Sequence, residues 1–170
     1  MLPAWLVAAA LAAGTLFNAG WTWARARRGK PALELVPLAS ILPRWREELP
    51  AAAFLSLVAG VSEELFFRLV LPVLFALVGG GALAGFVVGT AAFALLHRYQ
   101  GWRGMLATAL VGIVLAVLYL ASGQLWVAMA AHAAIDLNAL VVRPLAGGRL
   151  RRGWTRQAAA AFPPASNQED

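Results

Sequence analysis

Six side chains in this sequence have the types and spacings that hydrolytic chemistry needs. Glu63 and Glu64 are adjacent, Arg68 follows four residues after Glu64, and His97, His132 and Asp136 complete the set. Between Ala51 and Val142 the only acidic residues are Glu63, Glu64 and Asp136, and both histidines of the chain fall in the same interval. The surrounding sequence is otherwise fit for lipid. A carboxylate at the centre of a bilayer costs about 3 kcal/mol even on the lenient insertion scale, so such groups rarely persist without a task. Glu64 and Arg68 share one helical face in the acid-first order that favours an ion pair. Glu63 is rotated by about 100° from Glu64 and can address something else. His132 and Asp136 are also four apart on one face. Carboxylates beside imidazoles and a guanidinium form a set able to activate water.

The elements that must position these groups are membrane helices. The 170 residues are 61% hydrophobic and 13% charged, with a mean hydropathy of +0.72; a soluble domain carries about a quarter charged residues. Long apolar runs make the chain an all-α, polytopic membrane bundle with about five spanning helices. The expected spans are Met1–Ala24, Ala51–Val78, Ala82–Leu96, Met105–Ala121 and Leu125–Val142. Pro31–Pro50, punctuated by prolines that prevent one long helix, is expected at the membrane interface with Trp45 at headgroup level. Residues 1–145 form a single membrane-embedded domain, and 146–170 a basic, then disordered, cytoplasmic tail. Gly85 and Gly89 are spaced for close helix approach.

Charge fixes the expected orientation. Arg25, Arg27, Arg28 and Lys30 follow the first run, His97, Arg98 and Arg103 mark the end of the third, and Arg143, Arg149, Arg151, Arg152 and Arg156 follow the last. The connections at 1–4, 79–81 and 122–124 carry no Lys or Arg. The positive-inside rule then puts the N-terminus outside. A secretory signal would carry its positive charge before the apolar run, so the first segment reads as a span. The net charge of +6 serves topology at helix ends and forms no groove for nucleic acid. Cysteine is absent, which excludes disulfides, thiolate metal sites and a thiol nucleophile.

Helical rise brings the six groups to one region. Glu63 lies about 24 Å down its span from Gly79, and His97 about 22 Å down the next from Ala82. Counted from Arg143, Asp136 is about 10 Å deep and His132 about 16 Å. In a hydrocarbon core of about 30 Å they converge on one cavity in the cytoplasmic half.

At these residues the sequence resembles a known family, the CAAX-protease and bacteriocin-processing (Abi/Rce1-like) glutamic intramembrane proteases. Glu63-Glu64-Leu65-Phe66-Phe67-Arg68 matches its EExxxR motif, Phe93-Ala94-Leu95-Leu96-His97 its FxxxH motif, and His132-Ala133-Ala134-Ile135-Asp136 its HxxxN/D motif. The three occur in family order, each on an expected span. The resemblance implies peptide-bond hydrolysis without metal or other cofactor. It implies that Glu63 and His97 activate the water, that His132 and Asp136 stabilise the oxyanion, and that Glu64 and Arg68 hold the helix and position their neighbours. A purely structural Glu64–Arg68 pair is the alternative for those two residues. Asp136 departs from the asparagine of many members. An ionised aspartate would repel an oxyanion, so Asp136 is either protonated or orients His132.

The implied substrate is a membrane-anchored protein or peptide, and the other partner is lipid. The Ala, Arg and Gly content points to a bacterium with a GC-rich genome and so to its inner membrane. Leader or C-terminal sorting-signal processing, the latter as in the compact myxosortase-like branch, then fits better than prenyl-tail processing. Three other readings compete: a metal-dependent protease, a non-catalytic immunity or scaffold protein, and a transporter with a proton-relay carboxylate. The absence of an HExxH helix, the intact motif residues and the lack of detectable repeats weigh against each in turn.

Overall fold

A computed structural model describes residues 3–30, 41–148 and 150, and these are helical without a strand. The expected all-α bundle is what forms. Residues 31–40 of the expected interfacial segment, and the expected tail from 151 onward, lie outside the described residues. The spanning segments are α1 (Ala4–Arg27), α2 (Leu49–Glu64), α3 (Leu71–Leu77), α4 (Ala82–Leu96), α5 (Gly101–Ser122) and α6 (Leu125–Leu137), followed by the short α7 (Arg143–Ala146). A 3₁₀ turn, Arg46–Glu48, leads into α2, and the Glu48 carboxylate accepts the backbone N–H groups of Arg44 and Trp45 at 2.7 and 3.3 Å. Pro50 interrupts nothing, because it sits in the first turn of α2 where its missing N–H has no partner to lose.

Two prolines shape the site. Pro72 and Pro144 have no N–H, and in an α-helix their rings would collide with the carbonyls of Arg68 and Leu140, four residues back. The backbone widens before each one. Leu65–Val70 and Asn138–Val142 are π-helical turns, in which Leu71 N–H bonds Phe66 O and Arg143 N–H bonds Asn138 O. The first turn carries Arg68; the second begins two residues after Asp136. The expected second span is therefore one continuous rod with an extra residue wound into its middle, and not a regular α-helix.

Three stretches are long and apolar enough to cross a membrane: Trp5–Arg27, Ala82–Ser122 and Leu125–Ala146. The second, 41 residues long, folds as two spans. Gly101 adopts φ +71°, a conformation side-chain-bearing residues avoid, and the chain turns there. Phe86 then faces Tyr119, and Phe93 lies against Gly112, as an antiparallel pair requires. The rod formed by α2, the π turn and α3 is not among these stretches, and it carries Glu63, Glu64 and Arg68. It hides two of those charges: Glu64 is 0% exposed and Arg68 1%.

Packing between the helices relies on small residues, because lipid is as apolar as leucine and gives helices little reason to associate. The buried face of α2 is Ala52, Ser56, Gly60 and Glu64, one residue per turn. It packs on α6, while α3 packs on α4, α4 on α5 and α5 on α6. A Cβ at Gly60 would stand 2.8 Å from the backbone nitrogen of Ala133. Gly85 and Gly89 likewise face the backbone of Pro72 and Phe67, as their spacing led us to expect. Helix α1 stands apart from this ring, against α6 and α7. Replacing Gly60 with valine is expected to destabilise the protein by about 3 kcal/mol, the upper end for overpacking. Gly14→Val on α1, where a Cβ meets nothing within 4 Å, serves as the control. Thermal unfolding in detergent compares the two.

Candidate active site

Glu64 ends the small-residue face of α2, so the close approach at Gly60 and Ala133 delivers its side chain directly to α6. There His132 Nδ1 lies 2.8 Å from Glu64 Oε1. A carboxylate accepts, so His132 Nδ1–H donates. The same oxygen lies 3.0 Å from Arg68 Nη1. Arg68 Nη2 donates to the carbonyl of Gly112 on α5 at 3.2 Å. That path is open because Gly112 has no side chain; a Cβ would stand 3.2 Å from Nη2 and 3.1 Å from the Phe93 ring. The guanidinium also lies over the Phe93 ring, 4.6 Å from its centroid, a cation–π contact in a site closed to water. Glu64 thus holds three helices in register.

Glu63 and Asp136 occupy the accessible side. His132 Nε2 faces both, at 3.9 Å from Glu63 Oε2 and 3.6 Å from Asp136 Oδ2. These separations exceed a hydrogen bond. The side chains of Glu63 and Asp136 are 32% and 31% exposed, against 0% for Glu64. Only the former pair can be reached. Spacing along one helix linked His132 with Asp136; in the structure its short bond crosses to Glu64, and Asp136 sits at the opposite nitrogen. Glu63 Oε2, Glu64 Oε2 and Arg68 Nε are buried without a hydrogen-bond partner. Arg68 Nη1 has none either: the 3.0 Å contact with Glu64 is an ion pair without hydrogen-bond alignment.

His97 is not joined directly to this cluster. Among the described residues no ion pair within 4.0 Å links it to a carboxylate. It stands beyond Phe93, whose ring lies 4.8 Å from the His97 ring and 5.6 Å from that of His132. Phe93, the first residue of the FxxxH match, is 2% exposed and touches both imidazoles and Arg68. Asn138 accepts a helix–helix hydrogen bond from Asn18 of α1 at 2.8 Å. Among the described residues no group of three or more His, Asp and Glu side chains is arranged to hold a metal ion.

A family model for type II CAAX prenyl endopeptidase Rce1-like proteins matches residues 45–138, more than half of the chain. The chain belongs to that family. No curated protein and no solved structure gives a significant match. The Rce1-like region runs from Trp45 before α2 to Asn138 at the second π turn, and so holds all six candidate residues. Like other Rce1-like proteins, this one is an intramembrane protease, a peptide-bond hydrolase embedded in lipid and acting on a protein substrate.

Proposed function

We propose that this protease is of the glutamic type and that Glu63 is the carboxylate that meets the attacking water. The observation that carries this reading is the division between two adjacent glutamates: Glu64 is fully buried and committed to Arg68 and His132, whereas the Glu63 side chain is 32% exposed and makes no short bond, its buried Oε2 lying 3.9 Å from His132 Nε2. In the reaction, Glu63 draws a proton from water as the oxygen attacks the scissile carbonyl carbon. His97, whose Nε2 lone pair is free, assists as the water is activated. The tetrahedral oxyanion forms near His132 and Asp136. The C–N bond then breaks, and the proton taken from water passes to the leaving amine. As an imidazolium, His132 donates from Nε2 to the oxyanion while Nδ1 stays on Glu64. Asp136, 3.6 Å from that nitrogen, orients the cation. Glu64 and Arg68 are positioning residues.

The substrate is a membrane-anchored protein cut near the cytoplasmic face of a bacterial inner membrane, with the N-terminus of the protease outside. A leader or a C-terminal sorting signal fits this setting. A metal-assisted alternative would place a cation close to the Arg68 guanidinium, which already holds Glu64 and would repel it. In native cells carrying the wild-type or Glu63→Gln chain at equal expression, a defined set of membrane-protein precursors is expected to accumulate uncut only in the variant. Mass spectrometry of protein termini reads this. Unchanged termini together with Glu63→Gln rescue of a deletion phenotype would favour a scaffold. Loss of cleavage on chelation, restored by zinc, would favour the metal-dependent reading.

A further inference from the structure

We infer that Tyr99 is a positioning residue for His97. The inference rests on the catalytic assignment of His97. Helix α4 ends at Leu96 and tightens into the 3₁₀ turn His97–Gln100. His97 N–H bonds Ala94 O, three residues back, so the carbonyl of Phe93 loses the partner a continuing α-helix would give it. The imidazole takes that place: Nδ1 lies 2.8 Å from Phe93 O. A carbonyl only accepts, so Nδ1 carries the hydrogen and the lone pair sits on Nε2. One hydrogen bond fixes the tautomer but leaves the ring free to swing about it.

Two aromatic rings remove that freedom. Phe93 lies 4.8 Å from the imidazole at an interplanar angle of 60°, and Tyr99 lies 5.7 Å away at 33°. Tyr99 is itself tied down, since its hydroxyl accepts from Gln100 Nε2 at 3.0 Å, and Gln100 is buried. Tyr99 is 57% exposed, but an aromatic that only marks the membrane interface needs neither a fixed hydroxyl nor an imidazole beside its ring. Trp102 is that kind of residue, 70% exposed with its ring under the Arg103 guanidinium. Tyr99 therefore holds the His97 ring with Nε2 available, and a flat ring is what the task requires.

The test compares Tyr99→Leu, Tyr99→Phe and Trp102→Leu in purified full-length protein. The chain has two histidines, so ¹⁵N-imidazole spectra with a His132→Gln variant for assignment report His97 alone. Tyr99→Leu is expected to keep the Nδ1–H tautomer set by Phe93 O but to change the His97 ring signals through exchange broadening as the imidazole gains motion, and to lower kcat about tenfold with KM unchanged. Tyr99→Phe, which keeps the ring but loses its bond to Gln100, is expected to fall between wild type and Tyr99→Leu in both readouts, and Trp102→Leu to stay near wild type. A wild-type His97 spectrum in Tyr99→Leu overturns the inference whether or not a substrate is in hand. So does a Tyr99→Phe variant as impaired as Tyr99→Leu. If His97→Ala cleaves normally, the catalytic assignment fails instead, while the spectra still decide what Tyr99 does to the ring.

Discussion

Glu63→Gln is expected to lower kcat by about 10³-fold while leaving the fold intact, within the range that a positioned acid–base group contributes. Glutamine keeps the shape of the side chain and removes its basicity. Glu63 makes no short ion pair, its closest charged partner being His132 Nε2 at 3.9 Å, so little structure depends on its charge. The variant should therefore unfold at the wild-type temperature and still bind substrate, with KM near wild type. Kinetics on a purified substrate, with thermal unfolding measured on the same preparation, check both halves. A variant that is stable and fully active would move the chemistry away from Glu63.

Arg68→Leu is expected to do the opposite: to damage the fold first. Removing the guanidinium strands the Glu64 carboxylate at 0% exposure, and breaking a buried pair by deleting one partner costs about 3–5 kcal/mol. The double variant Glu64→Leu, Arg68→Leu removes both charges and should recover most of that stability, since a buried pair can be replaced by apolar residues at little net cost. Activity should not recover with it, because His132 Nδ1 then has no acceptor at 2.8 Å. Unfolding temperature and turnover are thus expected to separate in the double variant. Turnover that returns with stability would mean that Glu64 does nothing for His132.

Much of this was legible in the sequence, because buried charge in an apolar chain is conspicuous. Glu63, Glu64, Arg68, His132 and Asp136 stood out by type alone, and all five meet in the fold. What spacing could not provide was register between helices. Pairs four residues apart on one helix, Glu64 with Arg68 and His132 with Asp136, can be read from a sequence. The Glu64–His132 bond depends on where α2 touches α6, which Gly60 and Ala133 decide. The face Ala52, Ser56, Gly60 and Glu64 was the available signal, but Gly85 and Gly89 were more visible because glycine is the extreme case of a small residue. The π turns were missed because a proline inside an apolar run announces a disturbance without saying how the backbone resolves it. His97 bonds a carbonyl of its own helix because α4 tightens at its end, and no side-chain pattern encodes that change of winding.

The three-way junction at Glu64 ties catalytic competence to the completion of the fold. Arg68 arrives on the same rod as Glu64, Gly112 only with α5, and His132 only with α6. A chain halted in the membrane before α6 has inserted possesses both glutamates but lacks the imidazole that Glu64 orients and that borders Glu63. On the mechanism proposed above, such an intermediate would leave Glu63 with nothing to work beside. The nascent protease is in this sense its own safety catch, harmless to neighbouring proteins in the membrane until the bundle closes.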